Sequence, residues 1–289
     1  MISSEKEVVE LASVISTAEA REKWLLILEG VMKSTVRDVT AIGYDTYPTM
    51  KRVDWIRTQP DQVALAVGQC YWTSGMHRAI RLGLPGIKEY AEQQDTALMD
   101  VVELVRGKIP KLVRTTCEAM VTLDVHARDV TLELYDKECK TENDFNWLAQ
   151  LRYYWLGETE ESTHMYAKMI NSTCNYAYEY LGNSFRLVIT PLTDRCYRTL
   201  IGAYAPDLGG APEGPAGTGK TETTKDLAKA IGIQCVVFNC SDQLDYRTMG
   251  KFFKGLAASD ACSCFDEFNR IAMKFCRSSH SSFSAFSVP

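Results

Sequence analysis

The sequence predicts an α/β module preceded by a region that is mainly α-helical. Two observations carry this reading. Over roughly the first two thirds of the chain, apolar residues recur at intervals of three and four, the period of helices with one buried face. Near Phe185 the texture shifts to short β-favouring runs. One of them, Ile233-Gln234-Cys235-Val236-Val237-Phe238, is nearly continuous in apolar residues, as a parallel strand covered on both faces requires.

The elements follow in order. Val8, Leu11, Ala12 and Ile15 keep helical spacing, and Trp24, Leu25, Leu28, Val31 and Met32 continue an apolar stripe, so helix is expected from the start of the chain to a break around Gly43 to Pro48. A second helix is expected to start at Pro60. Proline suits a first helical turn, Asp61 complements its positive end, and Val63, Leu65, Ala66 and Val67 supply the apolar face. Leu82-Gly83-Leu84-Pro85-Gly86 ends that region. Further helices are expected from Ile87 to about Arg106 and from Leu112 to about Leu134, separated by Gly107 and Pro110. From Asp144 to Tyr180 the chain is rich in aromatic residues, Phe145, Trp147, Tyr153, Tyr154 and Trp155 among them, without interleaved basic charge, the pattern of core or interface packing rather than of a base-stacking platform. Phe185 to Thr190 reads as a short strand stopped by Pro191, and Cys262 to Asp266 as another that runs into two acids.

Composition narrows the function classes. The 289 residues allow one large domain or two ordinary ones, and 46% hydrophobic with 24% charged residues is an ordinary globular balance. The net charge of -5 carries no basic block, so nucleic acid is not an expected partner. Apolar stretches such as Trp24 to Leu28 fall far short of the roughly 18 residues of a membrane span, and the first residues lack a secretory pattern; no membrane association and a cytosolic setting are expected. Ten cysteines without regular spacing read as reduced thiols, and Cys235, Cys240, Cys262 and Cys264 lack the C-x-x-C pairing of a zinc site. His77, His126, His164 and His280 show no spacing to a nucleophile.

The chemistry is concentrated between the two β-rich runs. Gly214-Pro215-Ala216-Gly217-Thr218-Gly219-Lys220-Thr221 satisfies G-x-x-x-x-G-K-[ST] at every fixed position, and Glu222 to Ile231 has helical composition. Glycines let the loop turn its N–H groups toward phosphate oxygens while the next helix offers its positive end to the same charge. Lys220 is then the ligand of the β- and γ-phosphates, and Thr221 offers a hydroxyl to Mg²⁺. A carboxylate must complete the metal's surroundings. Asp266, 46 residues beyond Lys220 at the end of a strand-like run, is the candidate, and Glu267 beside it is the candidate for polarising the attacking water. The segment before the loop, Asp207 to Glu213, lacks the Val/Ile-rich strand that usually feeds one.

These residues are part of a longer pattern. Val188-Ile189-Thr190-Pro191-Leu192-Thr193-Asp194-Arg195-Cys196-Tyr197, the phosphate loop through Leu227, Val237-Phe238-Asn239-Cys240-Ser241-Asp242, Met249 to Leu256, and Cys264-Phe265-Asp266-Glu267-Phe268-Asn269-Arg270-Ile271 closely resemble the first AAA+ module of dynein heavy chains. The Ser-Asp-x-Leu-Asp-Tyr form and Lys251 to Leu256 look like the axonemal branch, inner-arm chains among them, rather than the cytoplasmic one. Gln62 to Thr73, Leu151 to Trp155 and Tyr178 to Asn183 resemble the end of the dynein linker, the family's mechanical lever. The resemblance implies residues 1–185 as linker, 186–271 as the N-terminal part of the module, and Pro191, Leu192 and Thr193 beside the adenine, with Glu222 following the loop. It also implies ATP and Mg²⁺ as ligands. The implied partners are the rest of the ring, intermediate and light chains, and microtubules, in the cytoplasm and the ciliary axoneme.

Two departures stand out: Asp260-Ala261-Cys262 where the family reads Gly-Ala-Trp, and Glu213 where a small or apolar residue is usual. After Ile271 the resemblance stops, and 272–289 is a Ser-rich stretch of loop-like composition expected to be disordered. On this reading the module is incomplete. An ATPase is then expected in the context of a full heavy chain, with weak or no turnover by this chain alone; the alternative is a product that binds nucleotide weakly and does no motor work.

Overall fold

The computed structural model describes residues 1–268, apart from 19, 158, 160–162, 184, 216, 242–245 and 260. The expectations for Ala216 and for the Ser-rich stretch 272–289 lie outside the described residues.

The N-terminal part is built on five helices: α1 (Arg21–Thr46), α2 (Arg52–Thr58), α3 (Asp61–Arg81), α4 (Leu84–Arg106) and α5 (Lys111–Asp136). A 3₁₀ turn, Tyr47–Thr49, joins the first two. α3 is the central element. Val63, Ala64, Val67, Met76 and Ile80 on it are at most 2% exposed; the first three pack with Trp55 of α2, Val101 of α4 and Met120 of α5, and Met76 and Ile80 pack with Ile87 of α4 and Val130 of α5 in a second cluster. The helices of 61–81, 84–106 and 111–136 lie close to where apolar spacing and the Gly/Pro breaks put them.

Two parts of the helical expectation are corrected. Residues 8–15 are not helical: Val8 forms an antiparallel bridge with Ile2, and α1 starts only at Arg21. The cause is tertiary. Glu7 is drawn inward, accepting the Asp61 amide at the start of α3 at 2.8 Å and the Tyr180 hydroxyl at 2.9 Å, which holds the segment extended. At the other end α1 runs through Gly43 to Thr46, because Gly43 lies against Val63 and Gln59 and its carbonyl accepts the Trp55 indole N–H at 3.1 Å.

The region before 185 also holds a sheet that helical periodicity does not reveal. A short helix, α6 (Phe145–Leu148), leads into β1 (Arg152–Leu156), β2 (His164–Met169) and β3 (Ser172–Asn175), an antiparallel sheet in the order β1-β2-β3. Tyr153, Tyr154 and Trp155 favour this conformation, and on β2 Met165, Ala167 and Met169 alternate inward. The aromatic stretch is core only in part: Trp147, Tyr153, Tyr176 and Tyr178 are buried and Tyr154, Trp155, Tyr166 and Tyr180 half-buried, whereas Phe145 at the start of α6 is exposed.

Beyond residue 185 come α7 (Pro191–Tyr204), α8 (Lys220–Ala230), β4 (Cys235–Asn239), α9 (Tyr246–Ser259) and β5 (Cys262–Asp266). β4 and β5 are parallel, with Cys235 opposite Cys262 and Asn239 opposite Asp266. α9 packs on one face through Phe252 and Phe253 against Phe238 and Phe265. Residues of opposite pleat, Asp266 among them, face α8. Phe185 to Thr190 is not a strand: the Leu187 amide is taken by the Asp226 carboxylate at 3.1 Å, and Thr190 caps α7 in a reciprocal pair with Thr193.

The two regions share a core. Tyr153, Met165 and Tyr176 pack with Ile231 and Ile233, just past α8. Main-chain bonds join Ala177 N to Ile231 O and Glu179 N to Gly232 O, both at 3.0 Å, and the Tyr153 hydroxyl donates to Ala230 O at 2.8 Å. Gly232 makes this approach possible: its φ is +72°, and a Cβ there would sit 2.6 Å from the Tyr176 ring.

Candidate nucleotide site

The site is assembled from the start of α8 and the end of β5. Gly219, at φ +76° in the left-handed region, turns the loop into the helix, and Gly217 at +78° makes the preceding turn. Within the loop the Thr218 hydroxyl donates to Pro215 O at 2.9 Å. The Lys220 ammonium spans the loop, donating to Gly214 O at 3.0 Å and Pro215 O at 2.7 Å. The first residue of α8 thus holds its charge at the mouth of a loop whose following helix offers free N–H groups and a positive end. Glu222, in the first turn, is exposed and paired with Lys225 at 2.7 Å.

Across from the loop, the Thr221 hydroxyl donates to Asp266 Oδ2 at 2.9 Å. This contact brings together two residues 45 positions apart, the two that the sequence nominated for a metal. They are hard oxygen donors, one hydroxyl and one carboxylate, a set that suits Mg²⁺ shared with phosphate oxygens and water rather than a closed protein cage. No group of three or more His, Cys, Asp or Glu side chains able to hold a metal ion occurs among the described residues. The carboxyl ends of β4 and β5 are held level by Cys240 N donating to Asp266 O at 2.9 Å.

Glu267 follows Asp266 at φ +53°, unusual for a residue with a side chain, and its amide donates to Asp266 Oδ1 at 2.9 Å. The side chain is exposed where β5 ends. Asp266 therefore has one oxygen on Thr221 and the other on the Glu267 amide, which fixes its orientation. Pro191, Leu192 and Thr193 form the first turn of α7; Pro191 and Leu192 are exposed, offering apolar surface at a helix start.

A buried acid on α8 carries no sequence motif of its own. Asp226, on the inner face of α8, is 2% exposed and accepts four hydrogen bonds: Arg186 Nε at 2.9 Å, Arg186 Nη2 at 3.1 Å, the Leu187 amide at 3.1 Å and the Tyr197 hydroxyl at 2.5 Å. Burial alone would raise its carboxyl, but the Arg186 guanidinium and the other donors hold it below the usual carboxylate range. The cluster ties the phosphate-loop helix to α7 and to the extended segment before it. The available signal was a lone acid between Thr223 and Leu227 on a helix face that is otherwise inward, and a lone Arg in the apolar run 185–190.

Comparison with known proteins agrees with this geometry. Residues 176–281 match the family model described as the hydrolytic ATP binding site of the dynein motor region. Over 277 residues, 95% of the chain, 58% are identical to dynein axonemal heavy chain 12 of Rattus norvegicus. The chain is a homologue of axonemal dynein heavy chains. It is also 51% identical over 277 residues to dynein axonemal heavy chain 3 of Mus musculus, and 50% identical over 271 residues, 94% of the chain, to dynein axonemal heavy chain 1 of the same species. The chain spans 9%, 7% and 6% of the lengths of these three dyneins. The matched ATP-site region starts at Tyr176, inside the core shared with the antiparallel sheet, and contains the phosphate loop and the Asp266-Glu267 pair.

Proposed function

We propose that this chain is the Mg-ATP-binding part of a dynein-type microtubule motor, and that ATP binding and hydrolysis at this site drive linker movement in ciliary and flagellar motility. The observation that carries the proposal is the Thr221–Asp266 contact beside the Lys220 loop. It sets the residues proposed for the metal beside the loop proposed for the phosphates, which supports phosphoryl transfer, a reaction that depends on placing charge rather than on covalent chemistry.

On this reading Lys220 exchanges the Gly214 and Pro215 carbonyls for β- and γ-phosphate oxygens, and the loop amides take the remaining phosphate charge. Thr221 and Asp266 hold Mg²⁺, which when bound neutralises charge on the phosphates. Glu267 accepts a hydrogen bond from the attacking water and orients it in line with the γ-phosphorus. Pro191, Leu192 and Thr193 flank the adenine through backbone and apolar surface. Residues 1–185 are the C-terminal part of the linker, and 186–271 the N-terminal part of the first AAA+ module. The bonds of Ala230, Ile231 and Gly232 to Tyr153, Ala177 and Glu179 support a linker anchored to the end of the phosphate-loop helix. The partners are the remaining ring, intermediate and light chains and microtubules, in the cytoplasm and the axoneme.

The test is titration of the chain with a fluorescent ATP analogue, with and without Mg²⁺. Binding is expected to strengthen with Mg²⁺ in the wild type, to lose that dependence in Asp266→Asn, and to disappear in Lys220→Ala. Equal affinity in the wild type and Lys220→Ala would reject the site.

A further inference from the structure

The face of the parallel strand pair that looks toward α8 carries three cysteines besides Asp266: Cys235 on β4, and Cys262 and Cys264 on β5. Only one pairing among them is direct. Cys235 is the register partner of Cys262, whereas Cys264 lies opposite Val237. Neighbouring strands run about 4.8 Å apart, and residues in register present their side chains on the same face. A disulfide needs Cα atoms about 4.4–6.8 Å apart with converging Cβ directions. A direct pair on adjacent strands meets the first condition, and the shared face supplies the second. Cys264, one pleat further along β5, is offset from Cys235 by an additional two residues of rise.

Both thiols are free and half-buried, in contrast with Cys70, Cys117, Cys139 and Cys174, which are buried. They are also chemically unequal. The nearness of the two sulfurs across the strand pair outweighs burial at Cys262 and holds its thiol below the ordinary range, while the same neighbour together with burial pushes Cys235 up. Thiolate character, together with access, is what makes a cysteine a nucleophile toward oxidants. None of the roles assigned above to the phosphate loop or to Asp266 and Glu267 uses either sulfur.

We propose that Cys235 and Cys262 are a reversible thiol-oxidation site, closed to a disulfide across β4 and β5 by peroxides. The Cys262 thiolate attacks one peroxide oxygen, the O–O bond breaks, and a sulfenic acid forms with release of one water after proton uptake. The Cys235 sulfur then attacks the Cys262 sulfur; the S–O bond breaks, hydroxide leaves and takes the Cys235 proton as a second water. Two thiols are oxidised by two electrons and one peroxide is reduced to two waters. A small thiol reductant returns the pair by exchange. The new bond closes a loop with 26 residues between the two cysteines, and it fixes the amino ends of strands whose carboxyl ends are held by Cys240 N on Asp266 O.

The experiment is peptide mapping of the whole chain under non-reducing conditions after brief native-state exposure to hydrogen peroxide and alkylation of remaining thiols. The expected result is a Cys235–Cys262 cross-linked peptide, at least tenfold more abundant than any Cys235–Cys264 product and removed by dithiothreitol. In Cys235→Ser the cross-link is lost and Cys262 is recovered as sulfenic acid, trapped by dimedone; in Cys262→Ser, Cys235 stays largely reduced. Because the map is read on the wild type first, a folding defect in either variant does not decide the outcome. Recovery of both residues as free thiols while other cysteines are oxidised, or pairing of Cys262 with a different cysteine, overturns the proposal.

Discussion

Replacing Asp226 by Asn tests how the phosphate-loop helix is held. The carboxylate is 2% exposed and the Arg186 side chain 6%, so the pair is screened little by solvent. Asn keeps the shape and one acceptor but removes the charge, and it presents an amide N–H₂ group to donors that now have no second oxygen. It leaves a buried guanidinium without its counter-charge, which costs about 3–5 kcal/mol when one partner of a buried pair is removed. That is a large fraction of the roughly 5–15 kcal/mol that keeps a domain folded. The assay is urea denaturation followed by far-UV circular dichroism, where the midpoint is expected to fall by about 1 M or more. The pH dependence gives an independent reading. The folded-state pKa of Asp226 is depressed, so its contribution is fully present above the ordinary carboxylate value and is lost as pH falls through the folded value. The wild type should therefore lose stability in acid more steeply than Asp226→Asn. The double variant Arg186→Met, Asp226→Leu should recover part of the loss, since it leaves no charge unmatched while the Tyr197 hydroxyl and the Leu187 amide lose their acceptor. A midpoint within about 0.3 M of wild type for Asp226→Asn would refute the argument.

Other consequences follow from single residues. Gly232→Ala places a methyl 2.6 Å from the Tyr176 ring at φ +72°, and the combined strain and overpacking should cost about 2–4 kcal/mol, read by thermal melting; an unchanged melt would mean that the shared core yields there. Burial pushes the His126 imidazole down to about 4, so at neutral pH its 4.0 Å approach to Asp194 is not an ion pair. A lowered histidine pKa means that stability falls as pH drops from about 6.5 toward 4, by up to about 3 kcal/mol, and His126→Leu should flatten that stretch of the pH–stability curve. Asp194, raised to about 6 mainly by burial, acts with the opposite sign: its protonated form is favoured in the fold, so its contribution weakens as pH rises through about 4 to 6. Glu267→Gln should leave Mg-ATP affinity within about twofold of wild type while abolishing whatever phosphate release the chain shows; a large loss of affinity would make Glu267 a binding residue instead.

The phosphate loop, the α8 helix, both parallel strands and the Thr221–Asp266 pair were legible because each is specified locally: fixed glycines and a lysine, an apolar run of strand length, and acids at a strand end. The helices of 61–136 were legible for the same reason, with Gly and Pro punctuating an apolar period. The misread segments are those whose backbone partners lie far along the chain. Residues 8–15 have helical spacing but are held by Glu7 reaching Asp61 and Tyr180, and Phe185 to Thr190 has strand composition but spends its amides on Asp226 and a helix cap. The antiparallel sheet was hidden for a related reason. Tyr153, Tyr176 and Tyr178 pack in the core, yet packing alone does not say whether the backbone beneath is helix or strand. The buried Arg186–Asp226 pair is likewise a tertiary fact, visible in sequence only as two charges in apolar settings.

A working Mg-ATP site formed by Lys220, Thr221 and Asp266 would stabilise the folded chain when ligand binds, so thermal unfolding with and without Mg-ATP reads it directly. A ligand at 100 times its Kd adds about 2.7 kcal/mol to the native state, which for a chain of this size is about 4–5 °C in Tm. Millimolar Mg-ATP should therefore raise the Tm of the wild type by that amount and leave Lys220→Ala unmoved. No rise in the wild type, or an equal rise in Lys220→Ala, would contradict the account.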